Sequence, residues 1–310
     1  MIHTIKKKIK RILGIEKYSS ERIVKDTYFG KKIQDTQKGN KIIYDLLQSN
    51  KPCMIARFGS TELSCIINYE REKGKEWWDF VVENINVASG VFPPTPKNLV
   101  RFSEDFLNHT KNIDGLGVWF NEGEDTIYKK YCPDADLFEL RAIESYYSTE
   151  NGNIPWTRAL ENKKILVIHP FTKSIEKQFE NREHLFQNPD ILPPFELQTL
   201  QAVQSIATQK TPFKDWFEAF DYMCSEIKKR DFDIAIIGAG AYGLPLASFI
   251  KQLGKKAVHM GGATQILFGI KGKRWDEIEF FQNLYNEYWT RPLAEEVPQK
   301  ANQVEDGCYW

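Results

Sequence analysis

Three times along this chain a short apolar run ends at a glycine-containing turn or a His-Pro pair and passes into a segment with helical periodicity. The stretches are "CMIARFGSTELSCIINYE" from Cys53, "KKILVIHPFTKSIEKQF" from Lys163 and "DIAIIGAGAYGLPLASFIKQLGKKAVHMGG" from Asp233. Short apolar runs of this kind read as strands buried on both faces, and the helices between them read as crossovers. Their alternation predicts an α/β fold: a mostly parallel sheet with helices on both faces.

The remaining segments fit around these units. Residues 20–50 read as polar and helical, with Ile42, Ile43, Leu46 and Leu47 on one face and Pro52 forbidding continuation. Met54 to Arg57 form a strand, followed by a helix bearing Leu63, Ile66 and Ile67. "NINVASGVFPPTP" breaks regular structure, and Thr95-Pro96 opens an amphipathic helix through Phe102, Phe106 and Leu107. "GLGVWF" (115–120) is a strand entering the acidic loop "NEGED", and "DADLFELRAIES" is a further strand or half-buried segment. Thr172 or Ser174 caps the helix carrying Ile175 and Phe179, and "TPFKDWFEAFDYMCSEIKKR" is a helix with Pro212 in its first turn. The simplest organisation is a leader over 1–19, one domain over 20–290 and a polar tail over 291–310. That tail ends in Cys308-Tyr309-Trp310, bulky residues that predict docking onto the fold or a partner.

Composition excludes several classes. Lys plus Arg equals Asp plus Glu at 42 each, so no charge excess draws nucleic acid. Five cysteines without a C-x-x-C pair fit a reducing compartment and argue against a disulfide scaffold or zinc site. Without an 18-residue apolar run or a signal-peptide core, a cytoplasmic protein is expected. In "MIHTIKKKIKRILGIEK", Ile2, Ile5, Ile9, Ile12 and Leu13 recur at helical spacing among five basic residues from Lys6 to Arg11. Such a leader either lies on an anionic bilayer, making the protein peripheral on the inner membrane face through residues 1–15, or is simply solvated.

In open parallel sheets ligands bind beyond the carboxyl ends of the strands. The residues there are Arg57 to Glu62, Asn121 to Asp125, His169 with Lys173, Gly238 to Gly243, and His259 to Gly262. Glycines admit a ligand close to the backbone, and the cations Arg57, Lys173, Lys271 and Arg274 favour phosphate, so a pyrophosphate-bearing substrate suits the set. The spacing of Gly238, Gly240 and Gly243 matches G-x-G-x-x-G, yet Val258-His259-Met260-Gly261 holds no acid for ribose hydroxyls. That argues against NAD or FAD and leaves a phosphate-approaching turn or a ligand-free tight turn. Taken singly, His169 and His259 read as structural hydrogen bonders or as catalysts, and Arg57 and Glu62 as an ion pair, a helix cap or site residues.

The turn "ARFGSTEL" resembles the R-x-G-D-G-E turn of the GT-D type glycosyltransferases, a bacterial family with a Rossmann-like fold. Arg57, Gly59 and Glu62 match, while Ser60 stands where the first carboxylate of the family's Asp-x-Glu belongs. "PWTRALENKKILVIHPF" and "GGATQILFGIKGKRW" are similar to proteins of bacterial polysaccharide loci, extending the resemblance over most of 50–290. It implies hexosyltransferase-like transfer of a sugar from a nucleotide-sugar donor to a surface glycan or lipid-linked acceptor. It also implies a divalent cation, Mn or Mg, for which Glu62 is the remaining ligand of the pair and Ser60 a weak substitute.

Motif and strand ends together give the candidate set. Glu62, Arg57 and His169 are catalytic candidates; Gly59, Ser60, Lys173, Gly238, Gly240, Tyr242, His259, Gly261, Gly262, Lys271 and Arg274 are substrate-binding candidates. Lys173, Lys271 and Arg274 would share the charge developing on a leaving diphosphate, and Glu62, His169 or an acid of the 122–125 loop would be general base. The competing readings are an NAD- or adenosyl-methionine-dependent sugar-modifying enzyme, and a noncatalytic polysaccharide-pathway protein, for which Ser60 is the argument.

Overall fold

The computed structural model describes residues 24–149, 152–304 and 306–310; the basic leader expected over 1–19 lies outside them. A small antiparallel hairpin, β1 (Thr27–Tyr28) and β2 (Lys31–Lys32), precedes helix α1 (Thr36–Gln48) where the sequence suggested helix throughout. Gly30, at φ 85°, makes that turn. The chain then runs through β3 (Cys53–Ala56), α2 (Ser60–Glu72), α3 (Asp79–Val87), α4 (Pro96–Thr110), β4 (Gly115–Val118), α5 (Glu124–Tyr131) and β5 (Asp136–Glu139). There follow β6 (Lys164–His169), α6 (Thr172–Glu180), β7 (Glu196–Gln201), α7 (Trp216–Lys228), β8 (Ile234–Ile237), α8 (Gly243–Gln252) and β9 (Lys256–His259).

Seven strands form one sheet in the order β5-β4-β3-β9-β8-β6-β7, and every neighbouring pair is parallel. The fold is α/β as expected, and its main sheet is wholly parallel. From β3 the chain works outward to β5, crosses to lay down β6 and the edge strand β7, then returns to fill the gap with β8 and β9. Side chains alternate between two cores: Leu166, Ile168, Ala235 and Ile237 join Phe102, Trp216 and Tyr242, whereas Ile165, Val167, Ile234 and Ile236 join Trp156, Phe171 and Phe268. The edge strand β7, "ELQTLQ", buries only Leu200, which is why its polar sequence gives no strand signal.

Several helix starts follow their caps. Asp35 accepts from the Lys38 amide, and Thr95 from the Asn98 amide with Pro96 at the first helical position. Asp215 accepts from the Glu218 amide, so α7 begins at Trp216 and Pro212 falls in the preceding turn. Helix α6 is capped by neither Thr172 nor Ser174. The Glu296 carboxylate takes the Lys173 and Ser174 amides at 2.8 and 3.2 Å. The segment expected to be a polar tail is therefore in part structural, with Glu296, Val304 and Cys308 all buried.

Trp216 organises the core between α4, α7 and the β8–α8 turn. Its indole stacks on Tyr242 (4.8 Å, 4°) and Phe220 (5.4 Å, 5°) and meets the edge of Phe102 at 5.1 Å. Its buried ring N–H has no hydrogen-bond partner among the described residues. Trp216→Ala is expected to cost about 3–5 kcal/mol in urea unfolding. Trp216→Phe should cost distinctly less, because it removes the unpartnered donor together with part of the ring.

Candidate active site

The carboxyl ends of β3, β4, β6, β7, β8 and β9 open into one cavity. Among the described residues its charged lining consists of Arg57, Arg274 and Glu62, two cations to one anion.

Arg57 follows β3. Its guanidinium lies over Trp119, 5.1 Å from the ring centroid, and against Gly261, where an added Cβ would stand 2.2 Å from Nη2. Gly261 itself has φ +67°, so this position favours glycine on both counts. Glu62 is the third residue of α2 and curls back over the helix start. A Cβ on Gly59 would sit 1.8 Å from its Oε2, so only glycine admits the carboxylate there. Glu62 is buried, lines the cavity and has no hydrogen-bond or ion-pair partner among the described residues; it does not pair with Arg57. Ser60, the first residue of the helix, is exposed to the same cavity.

His169 ends β6. The Phe171 amide donates to its Nδ1 at 3.0 Å, which fixes the neutral tautomer with the proton on Nε2. Burial pushes its pKa down to about 3. The ring thus offers the cavity a proton donor, and the general-base role considered for it does not fit this tautomer. His259 is likewise held neutral, near 3, first by burial and then by the Arg57 charge, and its Nδ1 has no partner among the described residues.

The glycines of the G-x-G-x-x-G spacing mostly serve protein atoms. A Cβ on Gly238 would meet His169, the Gly261 carbonyl and Thr264 at 2.6 to 2.7 Å, and one on Gly243 would meet the His259 ring at 2.4 Å. Gly240, at φ +51°, faces the cavity with only the Ser89 carbonyl near it. Tyr242 also lines the cavity, its hydroxyl 3.2 Å from Ser205 Oγ.

Two expected cations are elsewhere. Lys173 pairs with Glu295 at 2.7 Å on the surface, and Lys271 stands over Tyr285; neither lines the cavity. The acidic loop is also withdrawn. Glu124 is fully buried, accepting from the Trp119 and Asn121 amides and the Tyr28 hydroxyl, while Asp125 pairs with Lys25 and Glu122 with Arg71. Its contribution is to hold the turn that presents Trp119. Arg274 does reach the cavity, stacked on Tyr309 at 4.8 Å. Glu144 lies in the field of both arginines: burial raises its carboxyl pKa, while the Tyr146 hydroxyl, Arg57, Arg141 and Arg274 draw it back.

Sequence reasoning missed Trp119, Phe171, Ser205, Tyr309 and Trp310 as lining residues. Only the terminal Tyr-Trp carried a signal, as a docking segment. A resident divalent cation does not fit this donor set: Glu62 is the sole lining carboxylate, and no group of three His, Cys, Asp or Glu converges among the described residues.

No family model matches the chain, and no curated protein matches it. Two solved structures are similar to it. One is described as "The highly conserved domain of unknown function 1792 has a distinct glycosyltransferase fold", with TM-score 0.46, and the other as a selenomethionine-substituted structure of domain of unknown function 1792, with TM-score 0.43. Each is 12% identical, covering 86% of this chain and 94% of its own.

The two buried histidines set a pH dependence. Unfolded, each binds a proton near pH 6.5; folded, neither does until about pH 3, so stability is full above 6.5 and is lost as pH falls. Each should cost roughly 2 kcal/mol at pH 5. Glu124, pushed up to about 7 by burial, opposes this, since the folded protein keeps a proton that the unfolded chain releases. His109, pushed down to about 4 by burial, adds to the loss, so urea unfolding at pH 7.5 and 5 should show net loss at pH 5, and His259→Gln should reduce that loss by roughly 2 kcal/mol.

Proposed function

We propose that the protein is a glycosyltransferase using a nucleotide-sugar donor and passing its sugar to a hydroxyl of a glycan or lipid-linked acceptor at the bacterial surface-polymer stage of synthesis. The observation that carries this reading is one glycine-lined cavity holding two aromatic-stacked guanidiniums and a buried carboxylate that has no partner among the described residues. Guanidiniums bind phosphate oxygens bidentately, and here they would take the negative charge that grows on the departing diphosphate. Close backbone approach at Gly59, Gly240, Gly261 and Gly262 suits the same group. Glu62 is the carboxylate available to accept the proton of the attacking hydroxyl, and His169 Nε2 donates a hydrogen bond to the ligand. No step in this scheme passes through a cation. An acceptor carried on lipid would bring the enzyme to the inner membrane face, with the basic leader 1–15 as its contact.

The dinucleotide alternative is disfavoured by the occupied glycines and by His259 standing where an acid should be. A thermal-shift panel of UDP, GDP, CMP and dTDP sugars, NAD and adenosyl-methionine, with manganese or chelator, tests the proposal. One nucleotide sugar at hundredfold excess over its Kd should raise Tm by about 5 °C, with chelator making no difference. Arg57→Ala should abolish the shift. Glu62→Gln should keep it while slowing donor turnover about 10²- to 10⁴-fold. Gly59→Ala, which displaces the carboxylate, should reproduce the Glu62→Gln defect. A shift with NAD or adenosyl-methionine alone would sink the transferase reading.

A further inference from the structure

The C-terminal residues reach the cavity beyond the ends of β9 and β6. Tyr309 packs on Gly262 beyond β9, where a Cβ would lie 2.4 Å from its ring, and its carbonyl accepts from Gln265. Arg274, one of the two cavity cations, lies 4.8 Å from the Tyr309 ring. Trp310 stands edge-on to Tyr309 (5.8 Å, 89°) and reaches Phe171 beyond β6 at 6.4 Å; Phe171 in turn packs on His169 at 4.8 Å. Tyr309, Trp310, Phe171 and His169 all line the cavity.

We propose that the right-angled corner of Tyr309 and Trp310 is the platform for the transferred sugar ring, with His169 Nε2 and Trp310 Nε1 as donors to its hydroxyls. The inference rests on the transferase reading and adds a substrate subsite to it. Two observations point to a sugar in this corner. First, it lies one ring's breadth from Arg274, so a group bonded directly to a phosphate held by that guanidinium meets it, whereas a nucleobase is removed by a ribose. Second, the nearby donors are neutral and have no partners among the described residues. The Trp310 ring N–H is buried without a hydrogen bond, and His169, 3% exposed, has no partner for Nε2 among the described residues. Apolar ring faces beside neutral donors match a pyranose, which has C–H faces and acceptor hydroxyl oxygens at its rim. Buried donors of this kind are costly when unfilled, so a ligand hydroxyl supplies what the fold withholds.

The test compares each nucleoside diphosphate with its own sugar ester by calorimetric titration: UDP with UDP-glucose, GDP with GDP-mannose and dTDP with dTDP-glucose. In the wild type one sugar ester should bind more tightly than its diphosphate. Trp310→Ala should leave the diphosphate within about twofold and weaken the sugar ester about tenfold, erasing the margin. Trp310→Phe keeps a ring but not the donor and should retain part of the margin, which separates a platform from a general loss of folding. If the margin persists in Trp310→Ala, or both ligands weaken equally in both variants, the platform is wrong and the transferase reading stands. If the wild type binds no diphosphate and no sugar ester of the panel, both fall together.

Discussion

The strand tips of this protein can gather because position 238 carries no side chain. A Cβ there would collide with the His169 ring, the Gly261 carbonyl and the Thr264 hydroxyl at once, all within 2.7 Å. The ends of β6, β8 and β9 therefore close on one another across a missing atom. The same device repeats around the rim, with Gly243 admitting His259 and Gly261 admitting Arg57. A pattern that in dinucleotide folds brings backbone to phosphate is used here largely to bring protein groups together. Gly240 is the member left facing open space.

Charge is distributed by the same economy of partners. The N-terminus of α6, a ready anion site in such folds, is filled by Glu296 from the end of the chain, and the β4–α5 turn is organised around Glu124. These internal carboxylates satisfy backbone donors that would otherwise seek a ligand. What remains facing the cavity is the start of α2 with Glu62, and the two stacked guanidiniums. Selectivity for an anion thus comes as much from donors already spent as from those on offer.

Much of the fold was legible because parallel strands buried on both faces leave uninterrupted apolar runs: Ile165 to Ile168 and Ile234 to Ile237 could be little else. The helix starts were less even. Thr95 capped as its sequence suggests, but Asp215 overrode Pro212, and α6 took its cap from Glu296, more than a hundred residues away. No local pattern encodes such a contact. The edge strand β7 escaped for the opposite reason: it buries too little to need apolar residues. At the site, the glycines and Arg57, Glu62, His169, His259 and Arg274 were found from strand ends, whereas Lys173 and Lys271 were misplaced because a basic residue near a strand end does not reveal which way its helix or loop turns. Trp119 carried no site signal in the sequence and Trp310 only that of a docking segment; tertiary packing brings both to the cavity.

The pairing of β3 with β9 bears on how the chain is made. Cys53 to Ile55 lie in register with Lys256 to Val258 at the centre of the sheet. The first strand of the sheet to leave the ribosome must therefore wait for the last before its inner edge is covered. Until then β3 has only β4 beside it, and the half built from β6, β7 and β8 has an open flank of its own. Such long-range closure is slow relative to local helix formation. Two half-sheets, each with a bare edge that β9 covers last, would coexist in every nascent chain, and on a crowded polysome such an edge could pair with a strand of another chain, so strand order sets how long each chain stays open to wrong pairing.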